Sequence, residues 1–239
     1  MGIDPVVLFF LLGVAARLLR SDLRLPEAMY EGLSIYLLLA IGLKGGVELA
    51  RHPVSALVPQ AVAVVMLGLA LPLLAFPVLK YLGKLDHFNA ASIAAHYGSV
   101  SMVTFAVALA YLADHGIAHE PYMPLFVVLL EVPGIVVGIL IARLGAGMRG
   151  VDWGTLAHEV LFGRSILLLT GGLLIGWVAG PDALAPQAQL FFSLFKGLLA
   201  LFMLEMGIVA AARIRELRRT GPFLVAFGTL VPIAFALIG

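Results

Sequence analysis

Eight apolar runs, set apart by short charged or Gly/Pro-rich gaps, take up almost the whole of this 239-residue chain. About 20 apolar residues let a helix cross a bilayer, and within hydrocarbon a backbone must satisfy its own polar groups. The chain is therefore predicted to fold as an all-α polytopic membrane protein. Composition agrees: 62% of the residues are hydrophobic and 12% charged, against about 25% charged in an ordinary soluble domain. The predicted spans are Pro5–Leu19, Pro26–Leu43, Ala56–Leu79, Phe88–Leu112, Tyr122–Arg143, Ser165–Ala179, Leu190–Ala212 and Phe223–Ile238. Val151–Phe162 is too polar to cross and reads as a short interfacial helix with Trp153 at the boundary. The first run has no basic leader and no A-x-A site, so it reads as a retained span.

Charge placement orients these spans. The odd-numbered gaps hold Arg17, Arg20, Arg24, Lys80, Lys84, Arg143, Arg149, Arg164, Arg213, Arg215, Arg218 and Arg219, whereas the even-numbered gaps hold only Lys44 and Arg51. The positive-inside rule then puts the odd gaps in the cytoplasm and the N-terminus outside, in a bacterial inner membrane. The net charge of +1 is spread over many gaps, which argues against a nucleic-acid partner. With no cysteine, the chain has no disulfide, thiolate metal site or cysteine nucleophile.

The fourth run is interrupted at its middle by Tyr97-Gly98-Ser99-Val100-Ser101. Backbone leaves the helix at membrane depth only where protein buries it or a cavity lies beside it. A break here aims carbonyls from one half-helix and N–H groups from the other at a common gap. Carbonyls suit a cation such as sodium, and N–H groups suit an anion. The candidate anion-binding residues are Gly98, Ser99, Ser101 and Thr104; the candidate sodium-binding residues are Tyr97, Ser99, Ser101 and Glu131. The alternative is a kinked helix whose Ser and Gly pack closely on a neighbour. His96, beside the break, reads either as a proton-sensitive ligand or as a packed neutral histidine.

Glu131 lies near the centre of the fifth run, in LLEVPGIVVG. An ionisable group at that depth costs roughly 3 kcal/mol and needs a partner or a cavity. It either hydrogen-bonds to the broken helix or takes part in ion coordination or protonation. Glu31, Lys44, Glu48, Lys196 and Glu205 read as paired or snorkelling structural charges. Gly42 and Lys44-Gly45-Gly46 are predicted to end or unwind the second span. His115 and His119, with Asp114 and Glu120, read as a solvated outer loop and not as a transition-metal site. No H-E-x-x-H, G-x-S-x-G or P-loop pattern occurs, and nothing argues for an enzyme.

The chain also matches itself. Glu31–Gly42 aligns without gaps on Lys196–Gly207, and a proline-led span follows each copy. Spans one to three thus correspond to spans six to eight. Five spans separate the partners, so the copies run in opposite directions, the inverted-topology pattern of secondary transporters. The expected domains are a first five-span repeat at 1–145, a cytoplasmic linker at 146–163, and the start of the second repeat at 164–239. The second repeat is predicted to be truncated, with eight spans of an expected ten and no counterpart of the broken fourth helix.

At AAHYGSVSMVTFAVAL, LFVVLLEVPGIVVGIL, IGLKGGVEL and KGLLALFMLEMGIVAAARIREL the chain resembles the cyanobacterial sodium-dependent bicarbonate transporter family and its bacterial relatives. The resemblance implies two inverted five-span repeats with a discontinuous fourth helix, a homotrimer, Na+ as coupling ion, and sodium-coupled bicarbonate uptake. Gly98, Ser101 and Thr104 fall where that family has Gly, Ser and Thr. Ser99 replaces a small residue, Glu131 stands where the cyanobacterial members have Asp, and Met102 and Val103 replace small or hydroxyl residues. The family's regulatory partner is a PII-like cytoplasmic protein, and the long acidic insert of cyanobacterial members is short here, at Gly145–Phe162. The expected function is symport of bicarbonate or a similar small anion by alternating access, one repeat moving against the other. Two further classes stay open: a non-transporting membrane sensor on the same fold, and a proton- or sodium-coupled organic-anion exchanger using His96 and Glu131.

Overall fold

The computed structural model describes residues 4–145, 154, 158 and 162–238. Most of the expected linker, with the interfacial helix and Trp153, lies outside the described residues. The rest is helical, with no strand among the described residues. The α-helices are α1 (Pro5–Leu18), α2 (Glu27–Arg51), α3 (Val54–Pro77), α4 (His87–Ala95), α5 (Met102–Asp114), α6 (Met123–Gly145), α7 (Arg164–Ala183), α8 (Phe195–Thr220) and α9 (Pro222–Ala236). Single π-helical turns extend α3 at Val78–Leu82 and precede α8 at Gln189–Ser193. No polar or charged residue among those described is buried, while many Leu, Val and Phe side chains are exposed on the outer faces. That distribution suits a solvent of lipid.

Six helical segments are long and apolar enough to cross a membrane: Glu27–Arg51, Val54–Leu82, His87–Asp114, Met123–Gly145, Arg164–Ala183 and Phe195–Ile214. The other two predicted spans, α1 and α9, have 14 and 15 residues. At 1.5 Å per residue they reach only about 22 Å, short of a hydrocarbon layer of about 30 Å. Local chemistry sets these limits. The Asp4 carboxylate accepts from the Val6 N–H at 2.7 Å and fixes the start of α1, and α1 stops before Arg20, which has φ 59°. Gly221, at φ 86°, and Pro222 separate α8 from α9.

One sequence expectation is corrected. The second span does not end or unwind at Gly42–Gly46; α2 runs on to Arg51. These glycines serve close packing. A Cβ on Gly45 would come within 3.2 Å of the backbone of Pro124 and Leu125 in α6. One on Gly42 would meet the Leu169 carbonyl and the Leu173 N–H of α7, and one on Gly46 the Leu173 carbonyl. Glycine inside a helix costs about 1 kcal/mol, and small residues repay it by letting backbones approach.

The same device joins α1 to α8. A Cβ on Gly207 would meet the Phe10 carbonyl and the Val14 nitrogen, and one on Gly13 would meet the Leu204 carbonyl and the Ile208 nitrogen. Correspondingly, a Cβ on Gly172 would meet the Leu39 carbonyl and the Leu43 nitrogen. A shift of 165 residues carries Leu39, Gly42 and Leu43 onto Leu204, Gly207 and Ile208; a shift of 159 carries Phe10, Gly13 and Val14 onto Leu169, Gly172 and Leu173. The α1–α8 and α2–α7 crossings are thus made by corresponding atoms.

The remaining helices form a second cluster. Ala91 of α4 packs with Val137 and Ile141 of α6 and with Leu69 and Phe76 of α3. Phe227 of α9 packs with Ala75, Leu79, Ala90 and Ala94. Two helices of this side also reach the first group: α5 inserts Ala106 and α6 contributes Val128 to the cluster of Leu37, Ile41, Leu199 and Phe202 of α2 and α8. Because the two glycine crossings are equivalent, Gly42→Val and Gly207→Val should lower the thermal midpoint by similar amounts, corresponding to about 1–3 kcal/mol each. Gly171→Ala, where nothing lies within 4 Å of an added Cβ, should leave it unchanged. Thermal unfolding of the purified variants in one detergent measures all three.

Candidate functional site

The break is built from both ends. On one side, Asp86 caps α4, its carboxylate accepting from the N–H groups of Asn89 at 3.0 Å and Phe88 at 3.1 Å. The Asn89 hydrogen bonds hold the Asp86 carboxyl below its ordinary range. The cap's contribution is therefore complete above the usual carboxylate range and is lost as pH falls through the depressed value. His87 donates from Nε2 to the Ile141 carbonyl at 2.6 Å and accepts from Lys80 at Nδ1 at 3.0 Å, tying the start of α4 to α6 and α3.

The α-helix stops at Ala95. His96–Gly98 form a 3-10 turn, Ser99 is extended at φ −115° and ψ 156°, and Ser101 caps α5 by accepting from the Thr104 N–H at 3.3 Å. Six residues thus separate the carbonyl end of α4 from the N–H end of α5.

Gly98 is buried where this segment crosses α3 and α6. A Cβ there would lie 2.6 Å from the Gly134 Cα and from Pro72 Cγ, and one on Gly134 would lie 2.7 Å from the Ala95 carbonyl oxygen. Backbone meets backbone here, so the irregular segment is shielded on this side. Ser99 is the polar link: its hydroxyl donates to Glu131 Oε2 at 3.0 Å. Glu131 is only partly buried.

The structure therefore brings Gly98, Ser99 and Glu131 together and leaves Ser101 and Thr104 on the exposed side of the break. The Tyr97 ring points away, edge-on to Phe227 at 5.1 Å and Phe235 at 5.8 Å between centroids. Its share in any ion site would fall to its backbone. His96 is exposed and donates from Nδ1 to the Ser92 carbonyl at 2.8 Å. A segment of this kind offers carbonyl and hydroxyl oxygens to a cation and first-turn N–H groups to an anion, with one carboxylate within reach.

Other charged candidates are engaged elsewhere. Glu31 pairs with Arg164 at 3.3 Å and Glu48 with Arg51 at 2.8 Å, while Glu205 accepts from the Leu25 N–H at 3.1 Å. Lys196 binds Asp114 closely and lies 3.5 Å from Asp4. Lys44 instead lines a cavity of about 190 Å³ together with Asp114 and Lys196. Sequence reading missed Gly68, Pro72 and Gly134 as the walls of the break. Their signal was small or cyclic residues four apart, Gly68 with Pro72 and Gly134 with Gly138, on helices that must approach closely.

The profile of the Na+-dependent bicarbonate transporter superfamily matches residues 5–239. The chain belongs to this superfamily. Comparison with curated proteins gave no match. For a member of a bicarbonate transporter superfamily, a small anion and a lipid bilayer are the relevant ligand and solvent. The Ser99–Glu131 contact can be tested apart from transport. A double-mutant cycle with Ser99→Ala and Glu131→Gln should give a coupling of about 0.6–1.7 kcal/mol in thermal unfolding, as for other hydrogen bonds between membrane helices.

Proposed function

We propose that this superfamily member is a sodium-coupled symporter that imports bicarbonate or a similar small anion by alternating access. It acts as a transporter and not as an enzyme. One observation carries the reading: the non-helical segment 96–101, walled by Gly68, Pro72 and Gly134 and hydrogen-bonded to Glu131, within a stretch long enough to span the membrane. Sodium would bind among the backbone carbonyl of Tyr97, the hydroxyls of Ser99 and Ser101, and Glu131. The anion would meet Gly98, Ser99, Ser101, Thr104 and the first N–H groups of α5. On this reading α4 and α5 are one discontinuous membrane helix, and α1 and α9 count with the six longer segments as eight spans.

The glycine crossings support the inverted repeat, because one pair of shifts relates α1–α8 to α2–α7 atom by atom. They also refine the motion. One repeat cannot swing away from the other as a unit without tearing both crossings apart. The helices α1, α2, α7 and α8 would instead move as one body, held against α6 at Gly45 and meeting α5 at Ala106. A homotrimer and a PII-like cytoplasmic partner are carried as parts of the same proposal, by resemblance to the family.

Reconstituted vesicles should take up labelled bicarbonate with an inward sodium gradient and fail to do so when potassium replaces sodium. Equal uptake under both conditions sinks the coupling. Ser101→Ala should reduce initial uptake at least tenfold while the protein still inserts and purifies. Orientation is read separately: the chain has no cysteine, so single cysteines can be placed freely. A cysteine at Gly116 should label from outside intact cells, and one at Lys84 only after permeabilisation.

A further inference from the structure

Where α1 ends against the last turns of α8, the structure forms a polar cavity of about 350 Å³ whose lining includes Arg17, Arg20 and Ser21. We propose that it binds an anionic phosphate group, as carried by the headgroup of an acidic phospholipid. Several features converge there. Arg20 adopts φ 59°, a conformation that helix ends normally reserve for glycine. The Ser21 N–H folds back to the Ala16 carbonyl at 2.9 Å, which sets Arg20 and Ser21 beside Arg17. Among the described residues neither arginine has an ion-pair partner. The nearby acids Asp22 and Glu216 do not line the cavity.

The floor is Ala211 and Ala212, whose small side chains leave the space open, and the rim carries Leu18 and Ile214, both exposed. Two guanidinium forks and a hydroxyl match the oxygens of a phosphate, while an apolar rim at the end of a membrane helix matches the start of an acyl chain. On the proposed orientation the cavity opens to the cytoplasmic leaflet, where basic pockets between membrane helices take up anionic headgroups. Free inorganic phosphate offers the same chemistry without the chain.

Native mass spectrometry and thermal unfolding of the full chain, with added phosphatidylglycerol, phosphatidylcholine of matched acyl chains, or inorganic phosphate, separate the sources. Phosphatidylglycerol should be retained and raise the midpoint, and phosphatidylcholine should not. The double variant Arg17→Gln/Arg20→Gln should bind about 30-fold more weakly. Ala212→Leu, which keeps every charge and fills the floor, should lose binding as well, whereas Arg143→Gln, outside the cavity, should not. Where the double variant does not fold, Ala212→Leu decides. Protection by inorganic phosphate at millimolar concentration, lost in Ala212→Leu, supports the phosphate site with a soluble source. Equal retention of both lipids, or undiminished phosphatidylglycerol binding by Ala212→Leu, overturns the proposal. Because binding is read without any gradient, its failure is distinct from failure of transport.

Discussion

Hydrocarbon offers no hydrogen-bond partners, and the arrangement around residues 96–101 answers to that constraint. Helical pairing is interrupted at Ala95 and resumes at Met102, so the intervening backbone needs shelter or a ligand. Shelter is provided on one side by glycine and proline from α3 and α6, packed so closely on Gly98 that no side chain fits. The Tyr97 ring, edge-on to Phe227 and Phe235, ties the same turn to α9. Glu131 would be costly beside this apolar wall without a partner, and Ser99 supplies one. Backbone shape, close packing and the one intramembrane carboxylate near the break are therefore a single problem with a single solution.

A second constraint comes from glycine at the α1–α8 and α2–α7 crossings. Contacts between backbones tolerate little sliding, since any shift drives Cβ atoms of neighbouring residues into the opposing carbonyls. These four helices therefore hold together, although they come from both ends of the chain. Side-chain contacts such as Ala106 against Leu37, Ile41, Leu199 and Phe202 are smoother. In the proposed mechanism α5 is accordingly the helix that changes neighbours, and the adjoining break lets it move without carrying α4 as a stiff rod.

The helical class, the six long apolar segments and the interruption at Tyr97–Ser101 were legible in the sequence, because each depends on local composition. Gly42–Gly46 was misread because glycine has two uses that sequence does not separate: it weakens a helix in isolation and permits close approach in a bundle. Only the backbone of α7 and α6 opposite those residues decides between them. The full length of α2, to Arg51, follows from the same point. The roles of Ser99 and Glu131 split similarly. Each was visible as a polar residue at membrane depth, but their pairing links positions 32 residues apart in sequence and depends on how α6 crosses the break. Tyr97 looked equivalent to its neighbours, yet its ring belongs to the α9 packing, a partner 130 residues away that no local pattern announces.

The charged ends of the crossing helices carry the symmetry argument one step further. Asp4, at the start of α1, lies 3.5 Å from Lys196 at the start of α8; Arg164, at the start of α7, lies 3.3 Å from Glu31 near the start of α2. Lys196 and Glu31 are equivalent in the self-match, and their partners occupy adjacent rather than identical positions, so the pair recurs with its signs exchanged. Each sign has a physical reason. Asp4 caps a helix N-terminus, where the dipole favours a carboxylate, and the lysine then falls to α8. At the opposite face, on the proposed orientation, the cytoplasmic preference for arginine outweighs the dipole at the start of α7, and the acid falls to α2. The energies differ accordingly. The Arg164–Glu31 pair is about half exposed on both sides and adds little to stability, whereas the Asp4 side chain is 6% exposed, so its attraction to Lys196 is less screened. On the proposed inverted repeat, geometry is preserved between the two pairs, and the membrane, which treats its two faces differently, decides which partner carries which charge.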